Sequence, residues 1–158
     1  MRDYRIVGIA QMAICHAPGE LACLGLGSCV AVILYDPGAR LGGIVHVLLP
    51  KAPDNCESHE KYADTGTRKL VKELLAKGAT RDRLVAKLVG GAQMFANLNL
   101  SVSDIGKHNL EEAKRTLREL GIKLVSENTE GNRGRSAYLD TQTGKVTVET
   151  AFAPTKVI

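Results

Sequence analysis

Two apolar runs joined by one short turn constrain this chain more than any other feature. Val30–Tyr35 and Ile44–Leu49 are short, rich in Val, Ile and Leu, and bounded by breakers, which is the pattern of buried strands. Between them, Asp36-Pro37-Gly38-Ala39 predicts a turn, because Asp opens it and Pro presets its backbone angle. With those four residues as the loop, Tyr35 faces Arg40 and Cys29 falls opposite His46. Side chains alternate along a strand, so a shift of two residues keeps Cys29 and His46 on one face and a shift of one parts them. A thiol and an imidazole brought together by a hairpin suggest a nucleophile and its base. Just ahead of Cys29, Gly25-Leu26-Gly27-Ser28 lets the backbone aim N–H groups at a developing oxyanion, with Gly27 and Ser28 the candidate backbone.

At 158 residues the chain reads as one domain over 1–158, long enough to bury a real core. Charges and turn residues interrupt every apolar run before it reaches membrane-spanning length, which predicts no membrane insertion. Met1-Arg2-Asp3-Tyr4 lacks the layout of a secretory signal, so a cytoplasmic location is the expectation. In a reducing compartment Cys15, Cys23, Cys29 and Cys56 are expected as free thiols. The net charge of +4 is spread among interleaved acids, and the chain has two Phe, four Tyr and no Trp. With neither a basic stripe nor an aromatic platform, nucleic-acid binding is not expected.

In order, Arg5–Ala13 reads as a first strand, His16-Ala17-Pro18-Gly19 as a turn, and Glu20–Leu26 as a second extended segment. After the hairpin, Lys51–His59 is polar and reads as a loop. Ala63, Thr67, Leu70, Val71, Leu74 and Leu75 recur at helical spacing, with Gly78 as the stop. Arg83–Val89 is a strand ending in Gly90-Gly91-Ala92, and Met94–Leu100 a short irregular crossing. Ser103 caps a second helix whose stripe is Ile105, Leu110, Ala113, Leu117 and Leu120, ended by Gly121. Ile122–Ser126, Ala137–Leu139 and Lys145–Thr150 complete the strands. The expected fold is α+β: a layered α/β sandwich with mostly antiparallel sheet and two main helices on one face.

Other chemistries fit less well. Gly25-x-Gly27 lacks the third glycine of a dinucleotide fingerprint and leads into a strand instead of a helix. Gly-x-Ser-x-Gly is absent around Ser28, which argues against a serine hydrolase. Cys15, His16, Cys23, Cys29, His46, Cys56 and His59 lack the paired spacing of a zinc site. No Lys-Ser/Thr follows Gly90-Gly91 to make a phosphate cradle. No metal or organic cofactor is expected.

Taken together, Leu24-Gly-Leu-Gly-Ser-Cys29-Val-Ala-Val, Gly43, His46-Val-Leu-Leu-Pro50, Lys61-Tyr62-Ala63-Asp64, Gly90-Gly91-Ala92, Met94-Phe95, Ile105-Gly106 with Asn109, and Gly131-Asn132-Arg133-x-Arg135-Ser136 resemble the CheD family of chemoreceptor glutamine deamidases. The resemblance runs in order along nearly the whole chain. It implies a protein-glutamine glutaminase acting on methyl-accepting chemotaxis receptors, with Cys29 as nucleophile and His46 as general acid and base. It also implies a CheC-type phosphatase as partner, and a monomer when free. The family carries a Thr six residues before the nucleophile, where this chain has Cys23. A thiol is a weaker donor and acceptor than a hydroxyl. Either Cys23 orients His46, or a backbone carbonyl does, or Cys23 is plain core packing.

The chemistry that follows is amide hydrolysis through an acyl-thioester. An imidazolium beside Cys29 is expected to pull the thiol below its ordinary value near about 8.5 and supply a thiolate. Two other readings stand beside this one. The chain is a binding module for the phosphatase with a weakened site, or it is a different thiol hydrolase acting on small molecules. The polar loops Lys51–His59 and Gly131–Arg135 are expected to grip the receptor helix.

Overall fold

The computed structural model describes residues 3–94 and 104–158. It holds ten strands among the described residues: β1 (Arg5–Ile6), β2 (Met12–His16), β3 (Glu20–Leu26), β4 (Val30–Asp36), β5 (Leu41–Val47), β6 (Val85–Gly90), β7 (Lys123–Thr129), β8 (Arg135–Asp140), β9 (Val146–Thr150) and β10 (Lys156–Val157). Two helices, α1 (Ala63–Ala76) and α2 (Ile105–Leu120), complete the regular structure apart from two single 3-10 turns. The strands form two five-stranded sheets, ordered β1-β3-β8-β9-β10 and β2-β5-β4-β6-β7. Pairing is antiparallel except for β1 with β3 and β6 with β7. Both helices pack on one side of the second sheet, and the first sheet covers its other side. The α+β layered expectation holds, with the mostly antiparallel strands divided between two sheets and both helices on one face.

The central hairpin explains why β4 and β5 read as unbroken apolar runs. Every residue of both strands is buried, because the sheet is covered on both faces. Val30, Val32 and Leu34 join Leu41, Val45 and Val47 in the core under the helices. The alternate residues Cys29, Ala31, Ile33 and Ile44 face the core between the sheets. Burying one such Leu or Ile contributes about 1.5–3 kcal/mol.

The hairpin register differs from the expected one by two residues. Ala31 pairs with His46, Tyr35 with Gly42 and Asp36 with Leu41, so the loop is Pro37–Arg40. The cause lies in Asp36, whose carboxylate accepts the N–H groups of Gly38 and Ala39 at 2.9 and 3.1 Å and so closes the turn on itself. An even shift preserves facing, so Cys29 and His46 still share one side.

The predicted strand Arg5–Ala13 is broken. Arg5–Ile6 joins the first sheet and Met12–His16 the second, with a tight turn over Val7–Gln11 between them. Its apolar alternation concealed a positive φ of 60° at Ala10 and a side-chain clamp from Gln11. The strand predicted over Arg83–Val89 runs from Val85 to Gly90, its start taken up by a 3-10 turn at Arg81–Arg83. Strand β10 had no sequence forecast. The predicted cap Ser103 and most of the Met94–Leu100 crossing lie outside the described residues. The Glu20–Leu26 strand, the polar Lys51–His59 loop and the helix stops at Gly78 and Gly121 stand as expected.

Candidate active site

Cys29 sits one residue before β4, and His46 is the sixth residue of β5. Both are nearly sealed from solvent, at 7% and 3% exposure. Strand parity turns both toward the gap between the two sheets, because Cys29 shares its side of β4 with Ala31, the partner of His46. The two residues that the sequence singled out therefore lie on the same inward face of the hairpin. Among the described residues no hydrogen bond joins the thiol to the ring.

The backbone around Cys29 is anchored at three successive carbonyls. The N–H of Ala92 donates to the Gly27 carbonyl at 2.9 Å, and the N–H of Gly91 donates to the Cys29 carbonyl at 2.9 Å. Between them, Asn109 Nδ2 donates to the Ser28 carbonyl at 2.9 Å and to the Leu48 carbonyl at 3.0 Å. Asn109 is fully buried in α2, so its amide ties the loop before β4 to the residue after β5 across the open end of the hairpin. A trans peptide points its N–H opposite its C=O. The N–H of Ser28 therefore points away from Ala92, and that of Cys29 away from Asn109. Glycines make this approach possible. A Cβ on Gly106 would lie 2.4 Å from the Ala92 carbonyl oxygen, and one on Gly90, at φ 109°, would lie 2.4 Å from that of Cys29.

His46 is held from the other side. Its ring Nδ1 lies 3.0 Å from the Val7 carbonyl oxygen. A carbonyl only accepts, so Nδ1 carries the proton and Nε2 keeps its lone pair. Cys23 is fully buried in the inter-sheet core, the same cluster as Cys29. The partner of the His46 ring is thus a backbone carbonyl, and Cys23 packs as a core thiol.

Electrostatics departs from the thiolate expectation. Burial pushes the Cys29 thiol up, opposed only by its own backbone N–H. Burial also pushes His46 down from its ordinary value, against the Val7 hydrogen bond. Cys23 is pushed up to about 12, by burial first and then by the neighbouring Cys29. The inter-sheet gap disfavours either charge, which favours a thiol and a neutral imidazole over a thiolate–imidazolium pair.

The loop after β7 borders this site. Glu130 N–H donates to the Gly90 carbonyl at 3.1 Å and Gln93 N–H to that of Gly131 at 2.8 Å. Arg135 turns inward and braces the loop, donating to Asn128 Oδ1 at 2.8 Å and to the carbonyls of Glu130 and Arg133. Gly91, Gln93, Lys107, Glu130, Gly131 and Asn132 line a cleft of about 630 Å³ there. Another cleft, of about 500 Å³, runs along the outer face of α1 and includes neither Cys29 nor His46. No cluster of metal-ligating side chains occurs among the described residues.

Two parts of this site carried no role in the sequence reading. Asn109 entered only as one residue of a resemblance, although an Asn among the apolar positions of a helix stripe is itself a signal. The Val7 carbonyl had no signal, since it belongs to the backbone.

A family model described as CheD chemotactic sensory transduction matches residues 48–150. A Pyrococcus abyssi protein named probable chemoreceptor glutamine deamidase CheD is 48% identical over 142 residues, covering 89% of this chain and 87% of its own. A Moorella thermoacetica protein of the same name is 45% identical over 156 residues, covering 96% and 93%. A Thermotoga maritima protein named chemoreceptor glutamine deamidase CheD is 44% identical over 144 residues, covering 91% and 90%.

Proposed function

Because the chain belongs to the CheD family, we propose that it deamidates glutamine side chains of chemoreceptors, with Cys29 as nucleophile and His46 as general base and acid. The observation that carries this reading is the shared inward face of Cys29 and His46, with the His46 ring held so that Nε2 is free to take a proton.

The steps follow from the resting protonation states. As the Cys29 sulfur attacks the carboxamide carbon, its proton passes to His46 Nε2, so no free thiolate is stored. The N–H groups of Ser28 and Cys29 receive the oxyanion, which the anchored carbonyls on their other sides favour. His46 returns its proton to the departing nitrogen, the C–N bond breaks and ammonia leaves. Water, deprotonated by the same Nε2, attacks the thioester, and the C–S bond breaks to give glutamate and the thiol. These residues supply the whole sequence of proton transfers.

The receptor glutamine approaches from the side of the cleft at Gly91, Gln93, Lys107 and Asn132, which adjoins the nucleophile loop. A cytoplasmic location and a CheC-type phosphatase partner belong to the same proposal, as does a monomeric free state, and family membership is their support. No described helix is long and apolar enough to cross a membrane. The doubt that motivated a purely regulatory binding module was Cys23, and it loses force because the His46 ring already has an acceptor in Val7.

Incubating the chain with a receptor signalling fragment tests the proposal. Ammonia release, with conversion of specific receptor glutamines to glutamate by mass spectrometry, is the expected result. Retained turnover in Cys29→Ala removes Cys29 from the mechanism. Activity on free glutamine with none on the receptor sinks the receptor assignment.

A further inference from the structure

Resting on that reading of Cys29 and His46, we infer that the Val7–Gln11 turn is the positioning element of the site, and that the Val7 carbonyl serves as the third group behind the thiol and the imidazole. The turn grips His46 at three points. The His46 N–H donates to the Gln11 carbonyl at 3.0 Å, the Ala10 N–H donates to the His46 carbonyl at 2.9 Å, and the His46 ring meets the Val7 carbonyl at 3.0 Å. Two of these hold the backbone and the third holds the ring, so five consecutive residues set both where His46 sits and how its imidazole is turned.

The turn is itself closed. Gln11 N–H donates to the Gly8 carbonyl at 3.1 Å, and Gly8 N–H donates to Gln11 Oε1 at 2.9 Å. Val7 is in turn pinned from behind, its N–H donating to the Ala22 carbonyl of β3 at 2.7 Å. A continuous chain of hydrogen bonds thus runs from β3 through Val7 to the His46 ring, and Val7 is 1% exposed, out of competition with water. The titratable groups of the inter-sheet core on this side of the hairpin are Cys29 ahead of β4 and Cys23 of β3.

A carbonyl differs from a carboxylate or hydroxyl in this place. It accepts and never donates, so it permits one neutral tautomer and directs the Nε2 lone pair to the thiol side. It also carries no charge, so it orients the ring without forcing it into the imidazolium form. Gln11 acts through the turn and touches no reacting atom, which makes it a positioning residue.

The test uses the full chain with nitrogen-15 histidine. NMR of the resting protein is expected to show His46 as the neutral Nδ1–H tautomer, and the Nε2–H tautomer would overturn the inference whatever the activity. Two variants then weaken the support. An amide-to-ester replacement of the Val7–Gly8 linkage makes the Val7 carbonyl a poorer acceptor and also removes the Gly8 N–H that Gln11 Oε1 accepts, and Gln11→Ala, which removes that second bond alone, is its control. The ester variant is expected to lower kcat about three- to tenfold, the scale of one neutral hydrogen bond, with KM unchanged. The acid limb of its pH profile moves to lower pH, since the Val7 bond raises the basicity of His46. Gln11→Ala moves both in the same directions by a smaller factor. Unchanged kcat and pH limb in both variants overturn the inference while leaving the deamidase reading intact. Turnover surviving in Cys29→Ala defeats that reading while the tautomer result stands on its own.

Discussion

The two ends of the β4–β5 hairpin are built in opposite ways. At the turn, one carboxylate gathers every donor within reach. Asp36 is fully buried and accepts the N–H groups of Gly38, Ala39 and Thr80 and two bonds from Arg83. Burial alone would raise this carboxyl, but the Arg83, Thr80 and Ala39 donors hold it down to about 2. At the open end, other elements bind the backbone, and of the two inward side chains the His46 ring has the Val7 carbonyl at Nδ1 alone. The Gly27, Ser28 and Cys29 carbonyls are all taken, and the Cys29 thiol and His46 Nε2 are not bonded to each other. The same pair of strands therefore ends in a saturated charge that stabilises the fold and in a thiol and an imidazole not bonded to each other.

Removing a side chain from each end should separate activity from stability. Cys29→Ala is expected to cut receptor deamidation by about 10³-fold or more while leaving the urea unfolding free energy within about 1 kcal/mol of the parent. Equal losses of stability and turnover would break the contrast. Asp36→Ala is expected to do the reverse. It leaves buried donors unpaired and costs about 3 kcal/mol by urea titration, with kcat little changed where the chain is folded.

The pH dependence of the turn has a definite sign. The folded carboxyl of Asp36 lies below its unfolded value of about 3.9, so its stabilisation is complete above that value and is lost as pH falls toward about 2. Acid titration of the urea midpoint should show this loss, and Asp36→Asn should flatten it. The size is about 1–2 kcal/mol, since Arg83 is part-exposed and screened by solvent.

Asn109→Ala tests the link between the helices and the open end. With the Ser28 and Leu48 carbonyls left without a donor, stability should fall by about 1–3 kcal/mol, and kcat should fall by more than KM changes. An unaltered kcat would make Asn109 a fold residue alone. The smallest effect is reserved for Cys23→Thr. His46 Nδ1 already has the Val7 carbonyl, so turnover should change by less than about twofold. A large gain in rate would mean that position 23, and not the turn at Val7, governs the ring.

Much of the scaffold was legible because it follows local periodicity. Glu20–Leu26 appears with the expected bounds, the stripe of α1 is buried at Ala63, Thr67, Leu70, Val71 and Leu74, and Cys29 and His46 share a face as parity required. The misreadings came where one side chain overrode the pattern. Asp36 drew the hairpin register two residues along by bonding its own turn, and Gln11 folded an alternating apolar segment into a turn that changes sheets. Polar side chains at such positions act through contacts that no period encodes.

The amino-acid sequence by itself determined that a thiol and an imidazole lie on one side of a buried hairpin, since alternation along strands is a covalent property of the chain. Only the tertiary structure decided what surrounds them. The Val7 carbonyl meets the His46 ring because β1 and β2 belong to different sheets, and Asn109 reaches Ser28 because α2 packs where Gly106 lets it approach. Burial between the two sheets, acting on groups far apart in sequence, pushes the Cys29 thiol up and His46 down.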